Sequence, residues 1–169
     1  MPANLPGARN FVPEPATELD FVAIDDGGEF GYYPGASELL AGFEYPDQAL
    51  AVLDRTGKLY RLVLGPDRAL MMSGAHGRVD RAWLQQQWAR AQRSFPLQHR
   101  VRRFHAGSLP ALLAELFETL PLESHPDRFS AGAGGDVRDP FGHSYKVVRP
   151  GRRHPPKAPT LWYVEVERR

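Results

Sequence analysis

The chain has 169 residues, enough for one domain that buries a core without staples. It has no cysteine, which excludes disulfides, thiolate metal sites and cysteine nucleophiles, and which suits a reducing cytoplasm. Net charge is +1, but residues 1–76 carry 5 basic and 11 acidic residues, a net −6, while residues 77–169 carry 16 and 9, a net +7.

Such a split fits an anionic partner for the basic half. It fits equally well two halves that pack on each other, and this is the plainer expectation. The basic residues are 18 Arg and 3 Lys, a bias expected of a GC-rich bacterial genome rather than of any mechanism. Residues 1–17 hold no apolar run and are expected to be a flexible arm, not a secretory signal. No segment approaches the ~20 apolar residues of a membrane span.

Leu19 to Ile24 reads as a strand, apolar enough to be central. Asp25-Asp26-Gly27-Gly28 supplies the positive φ angles of a tight turn, and Glu29 to Tyr33 returns. Ala36, Leu39, Leu40 and Phe43 have helical spacing, and Tyr45-Pro46-Asp47 stops that helix. Ala49–Asp54, Leu59–Leu64 and Ala69–Met72 read as a three-stranded meander. Its turns are Asp54–Gly57 and Gly65–Arg68.

Val79–Phe95 is predicted to be a helix with Leu84, Trp88, Ala91 and Phe95 inward and Trp83 at the edge of that stripe. His99–His105 reads as an edge strand. Leu109, Leu112, Leu113, Leu116, Phe117 and Leu120 make the clearest helical stripe in the chain, with Ser108 placed as its cap and Pro110 in its first turn. Residues 121–140 are rich in Pro, Gly, Ser and Asp and are expected to form a mobile loop. Tyr145–Val148 and Thr160–Glu167 read as a final hairpin with a long connection, Arg149–Pro159. The expected fold is α+β: a hairpin, a meander and a C-terminal hairpin packed against two main helices, with residues 18–169 as one domain.

Chemical motifs are sparse. The six histidines, His76, His99, His105, His125, His143 and His154, form no metal-ligand spacing. In a strand His99 and His105 share a face but stand ~20 Å apart. Asp25, Asp26 and Glu29 could do acid/base work, yet a turn explains them and the pattern of a calcium loop is missing. The Ser130–Gly135 glycines precede no helix that could hold a phosphate, and there is no nucleophile elbow. Asp139-Pro-Phe-Gly-His-Ser-Tyr145 with Leu161-Trp-Tyr-Val164 resembles the C-terminal hairpin of type II pseudopilins. Its first five residues resemble a run in glyoxalase-like proteins. The apolar N-terminal helix of the first and the metal-ligand spacing of the second are missing, so the resemblance implies a turn and no activity.

The basic run carries more. Arg90 and Arg93 lie at i, i+3 on the outer side of the predicted helix, followed by Arg100, Arg102 and Arg103. Arg149, Arg152, Arg153, His154 and Lys157 form a second basic loop. Phe30, Tyr32, Tyr33, Phe43 and Tyr45 concentrate aromatic side chains in the acidic half. Trp, Tyr and Arg are the types enriched at interface hot spots. The expectation is a non-enzymatic bacterial accessory or inhibitory protein, immunity-like, that binds an acidic protein surface through Trp83, Arg90, Arg93, Arg100, Arg102 and Arg103. No catalytic residue, cofactor or metal is expected. The alternatives are a nucleic-acid-associated protein using the basic half, and a small enzyme with a hidden His/carboxylate site.

Overall fold

The computed structural model describes residues 19–149 and 161–166. The expected N-terminal arm and most of the Arg149–Pro159 connection lie outside the described residues. β1 (Phe21–Asp25) is buried on both faces, as its unbroken apolar run implies. Phe21 and Ala23 point to one side, Val22 and Ile24 to the other. Gly28, at φ +90°, completes the expected turn, with its N–H donating to the Asp25 carbonyl at 3.0 Å. β2 (Phe30–Tyr33) returns antiparallel, and a short helix, α1 (Ala36–Ala41), follows.

β3 (Ala49–Asp54) takes the other edge of β1, and β4 (Leu59–Tyr60) pairs with β3, giving the antiparallel order β2-β1-β3-β4. The predicted strand Leu59–Leu64 is divided at Arg61. Its second part, β5 (Leu62–Leu64), forms a separate hairpin with β6 (Leu70–Met72). Ser73 causes the break: its Oγ accepts from the Arg61 N–H at 3.0 Å, and its own N–H donates to the Arg61 carbonyl at 2.8 Å. The hairpin and α1 cover the Phe21/Ala23 face through Leu62 and Leu39.

The opposite face, with Val22, Ile24, Phe30 and Leu53, packs on the two long helices. α2 (Arg81–Ser94) begins two residues later than predicted because Asp80 is the cap, accepting from the Trp83 N–H at 2.9 Å. Leu84, Trp88 and Ala91 are buried, while Phe95 closes the helix half-buried. β7 (Val101–Arg102) precedes α3 (Leu109–Ser124), whose cap is Ser108 as expected, with Oγ 3.3 Å from the Ala111 N–H. The stripe residues Leu112, Leu113, Leu116, Phe117 and Leu120 are all buried. α3 continues beyond Leu120 through Pro121, because Leu122 extends its apolar surface into a third cluster with Val101, Tyr145 and Tyr163.

Residues 121–140, expected as one long loop, hold the end of α3 and two short strands, β8 (Ser130–Ala131) and β9 (Val137–Arg138). The C-terminal hairpin is β10 (Ser144–Val148) and β11 (Trp162–Glu165). Together they form a second sheet, β7-β11-β10-β9-β8, antiparallel except for the β7–β11 pair, which is parallel. Phe129 stacks on Tyr163 beneath it, with ring centroids 4.2 Å apart. The class is α+β, as expected. Among the described residues no helix is long and apolar enough to cross a membrane.

Candidate functional site

The basic run following α2 is bound into the fold. Arg100 Nη2 donates to the Glu123 carbonyl at 2.7 Å, and Arg102 Nη2 donates to the Gln92 carbonyl at 2.8 Å. Each guanidinium therefore caps the C-terminal end of a helix, Arg100 on α3 and Arg102 on α2. There it also meets the negative end of the helix dipole. Arg102 lies over the Trp162 ring, 5.5 Å from its centroid.

Arg103 is the most enclosed of the three. Its side chain is 5% exposed and binds three groups at once: Tyr145 Oη at 2.8 Å, Asp139 Oδ2 at 2.8 Å, and Glu118. Tyr145 Oη in turn donates to Asp139 Oδ2 at 2.7 Å. Burial pushes the Asp139 carboxyl up. Hydrogen bonds from Tyr145, the His143 N–H and Arg103 outweigh it and leave the acid below the usual carboxylate range. Burial pulls the Arg103 guanidinium down, and Tyr145, Glu118 and Asp139 more than reverse that. The Asp139–Tyr145 motif is thus a turn locked to β7 and α3 by a buried arginine. Period-two alternation in His99-Arg-Val-Arg-Arg103 could have shown this, since it puts Arg103 on the same side as buried His99 and Val101.

A cleft of about 720 Å³ opens between β2, residues 97–100 and the end of α3. Its cations, Arg55, Arg100 and Arg128, are matched by Glu29, Glu118 and Glu123, so it offers no single sign of charge to a ligand. His99 and Glu123 meet there, with Nδ1 3.0 Å from Oε2. This is the His/carboxylate pair that histidine spacing did not reveal. The Phe30 N–H donates to His99 Nε2 at 3.3 Å, which makes that nitrogen an acceptor and Nδ1 the donor to Glu123. Both ring nitrogens are engaged inside the fold, and the side chain is 2% exposed. The pair ties β2 to α3 and presents no proton to the cleft. A second pair, His143 Nδ1 to Glu165 Oε1 at 2.6 Å, is half-exposed at one end of β10 and β11, and among the described residues no hydroxyl is bonded to its ring. Among the described residues no group of three His, Asp or Glu side chains could hold a metal ion.

Trp83 stands apart from the arginines. It forms one wall of a groove of about 560 Å³ against β3 and β4, with Leu50, Leu59, Tyr60, Leu62 and Val79. Leu50, in the groove lining, is 55% exposed and adds apolar surface there. The indole is half-buried against the main core. Arg90 lies two turns further along α2, seven residues on and therefore on the same side, and Arg93 follows; both are exposed. Of the six candidates, then, Trp83, Arg90 and Arg93 share a helix and open surface, Arg100 and Arg102 cap helices, and Arg103 is interior.

The two halves of the chain pack together through apolar side chains. Yet none of the ion pairs among the described residues joins the acidic half to the basic one. Packing of the halves therefore does not neutralise the charge split. Compared with protein-family models, curated proteins and solved structures, the chain matches none.

Proposed function

We propose that this chain is a non-enzymatic interaction module, a bacterial accessory or inhibitory protein of the cytoplasm, that binds another protein. The observation that carries this is the apolar groove walled by Trp83. A half-exposed indole beside exposed Leu50 has the composition and shape of an interface anchor. Arg90 and Arg93 lie on the same helix, where rim charges steer an acidic partner and add more to its rate of arrival than to its grip.

The experiment is capture on the immobilised chain from the native host, run beside Trp83→Ala and the Arg90→Glu/Arg93→Glu double variant. A protein retained at stoichiometric level by the parent chain, and lost from both variants while their thermal unfolding is unchanged, supports the reading. Retention that is equal on all three chains moves the contact to another face.

A further inference from the structure

The second sheet sorts its charges by face. Its register places Arg102, Arg138, Lys146, Val148, Trp162 and Val164 on the outer side. Val101, Tyr145 and Tyr163 lie on the inner side, in the core. Two of the nearby carboxylates are held away from the outer face. Asp139 is bound by Arg103 and Tyr145, and Glu165, opposite Tyr145, accepts from His143 and from the Phe104 N–H at 2.7 Å. Every charged side chain that β7, β9, β10 and β11 place on the outer face is therefore a cation. Lys146 and Arg138 are exposed and have no ion pair among the described residues.

The cations surround an aromatic platform. Trp162 is paired across the sheet with Val148, and Val164 lies between Lys146 and Arg102. Arg102 reaches from the indole to the Gln92 carbonyl, so the face borders the last turn of α2, where Arg93 is exposed. We propose that this outer face binds single-stranded nucleic acid. Phosphates lie along Arg138, Lys146 and Arg93, and an unpaired base stacks on the Arg102 guanidinium and the Trp162 indole, which already lie together. Charge complementarity selects a polyanion. The half-exposed indole at the centre of the cations selects one with flat bases, because an acidic protein surface needs the cations alone. The face lies apart from the Trp83 groove and shares only Arg93 with the protein-binding reading, and Arg138, Lys146 and Trp162 test it without that reading.

The test is fluorescence anisotropy with labelled oligo(dT) and oligo(U) of about 15 nucleotides, at about 50 and 200 mM salt. A duplex of the same length and poly-glutamate are run in parallel. Three phosphate contacts predict binding to the single strands that weakens roughly 20-fold across that salt range. Lys146→Ala and Arg138→Ala each lower the logarithmic salt slope by about 0.7. Trp162→Leu weakens binding about tenfold at both salt concentrations and leaves the slope unchanged. The two cation variants sit on exposed positions and keep the test valid even if Trp162→Leu fails to fold. Three results overturn the proposal. They are no binding at low salt, a slope indifferent to Lys146 and Arg138, or poly-glutamate or duplex binding as tightly as the single strands.

Discussion

Trp88 and Glu115 join the two long helices by a polar contact inside the apolar core. The indole Nε1 donates to the Glu115 carboxylate across 3.4 Å. This long bond does not offset burial, which pushes the Glu115 carboxyl up to about 7. The folded chain therefore keeps this proton up to neutral pH, whereas the unfolded chain releases it near the ordinary 4.5. Between those values the folded state binds more protons, so its stability falls as pH rises through that window. The loss is roughly 3 kcal/mol. Glu115→Gln keeps the shape and removes the titration. Urea midpoints at about pH 5 and 8 should differ less in the variant than in the parent. An equal difference would show that Glu115 is ionised throughout.

Among the described residues, Arg103 is the one cation that Asp139, Tyr145 and Glu118 all bind. Removing it leaves the Asp139 side chain fully buried without its counter-ion. Arg103→Met should cost about 3–5 kcal/mol, and Tyr145→Phe about 1–3 kcal/mol. Asp139 is held below the usual carboxylate range, so its contribution is present above that range and is lost as pH falls through its depressed folded value. Without Arg103 that depression shrinks, and acid unfolding should begin at higher pH. Chemical denaturation at neutral pH and an acid titration of circular dichroism check both parts. A variant as stable as the parent would mean that the network relaxes onto water.

The Asp54–Gly57 turn links the first sheet to α3. Buried Asp54 accepts from the Thr56 and Lys58 N–H groups and from the Thr56 and Tyr60 hydroxyls. Gly57 has φ +84°, and a Cβ there would meet Leu113 Cδ1 at 3.2 Å. Gly57→Ala combines a left-handed conformation, at about 1–2 kcal/mol, with crowding against α3. The thermal midpoint should drop by roughly 2–4 °C per kcal/mol lost. An unchanged midpoint would show that the turn can adopt another conformation at no cost.

Local signals in the chain were readable where one element decides them. The Ser108 cap and the Leu109–Leu120 stripe depend on neighbours in sequence, and they stand as expected; the turn after β1 forms too, but its positive φ falls at Gly28 and not at the Asp26-Gly27 pair. The division at Arg61 was not readable. Leu59 to Leu64 alternates without a gap, and the break comes from Ser73, twelve residues on. Two-residue strands such as β7 and β8 are below the length at which alternation can be counted. The contacts of Arg100, Arg102 and Arg103 were hidden for the same reason. A run of arginines looks like a surface patch until Gln92, Glu123 and Asp139 arrive from elsewhere in the chain to bind them. The outer face of the second sheet was hidden because Arg138, Lys146 and Trp162 come together only through strand pairing.

The groove and the exposed arginines of α2 should act on different rate constants. Arg90 and Arg93 are exposed, so their charge acts on a partner at a distance and is screened by salt. Arg90→Glu with Arg93→Glu should slow association by about tenfold at low ionic strength, and less at high ionic strength, with the fold intact. Trp83 lines an apolar groove, so its contribution is contact area that is lost only when the complex separates. Trp83→Ala should speed dissociation by roughly 30-fold or more, the effect of an anchor worth about 2 kcal/mol, with little change in the association rate. Because the indole also touches the main core, thermal unfolding of Trp83→Ala must be measured beside binding. Trp83→Phe, which keeps an apolar ring there, should recover most of the residence time. Surface plasmon resonance at two salt concentrations, with the captured partner, separates the two effects. Dissociation rates that do not respond to Trp83 would remove the groove from the interface, and association rates that do not respond to Arg90 and Arg93 would remove the helix.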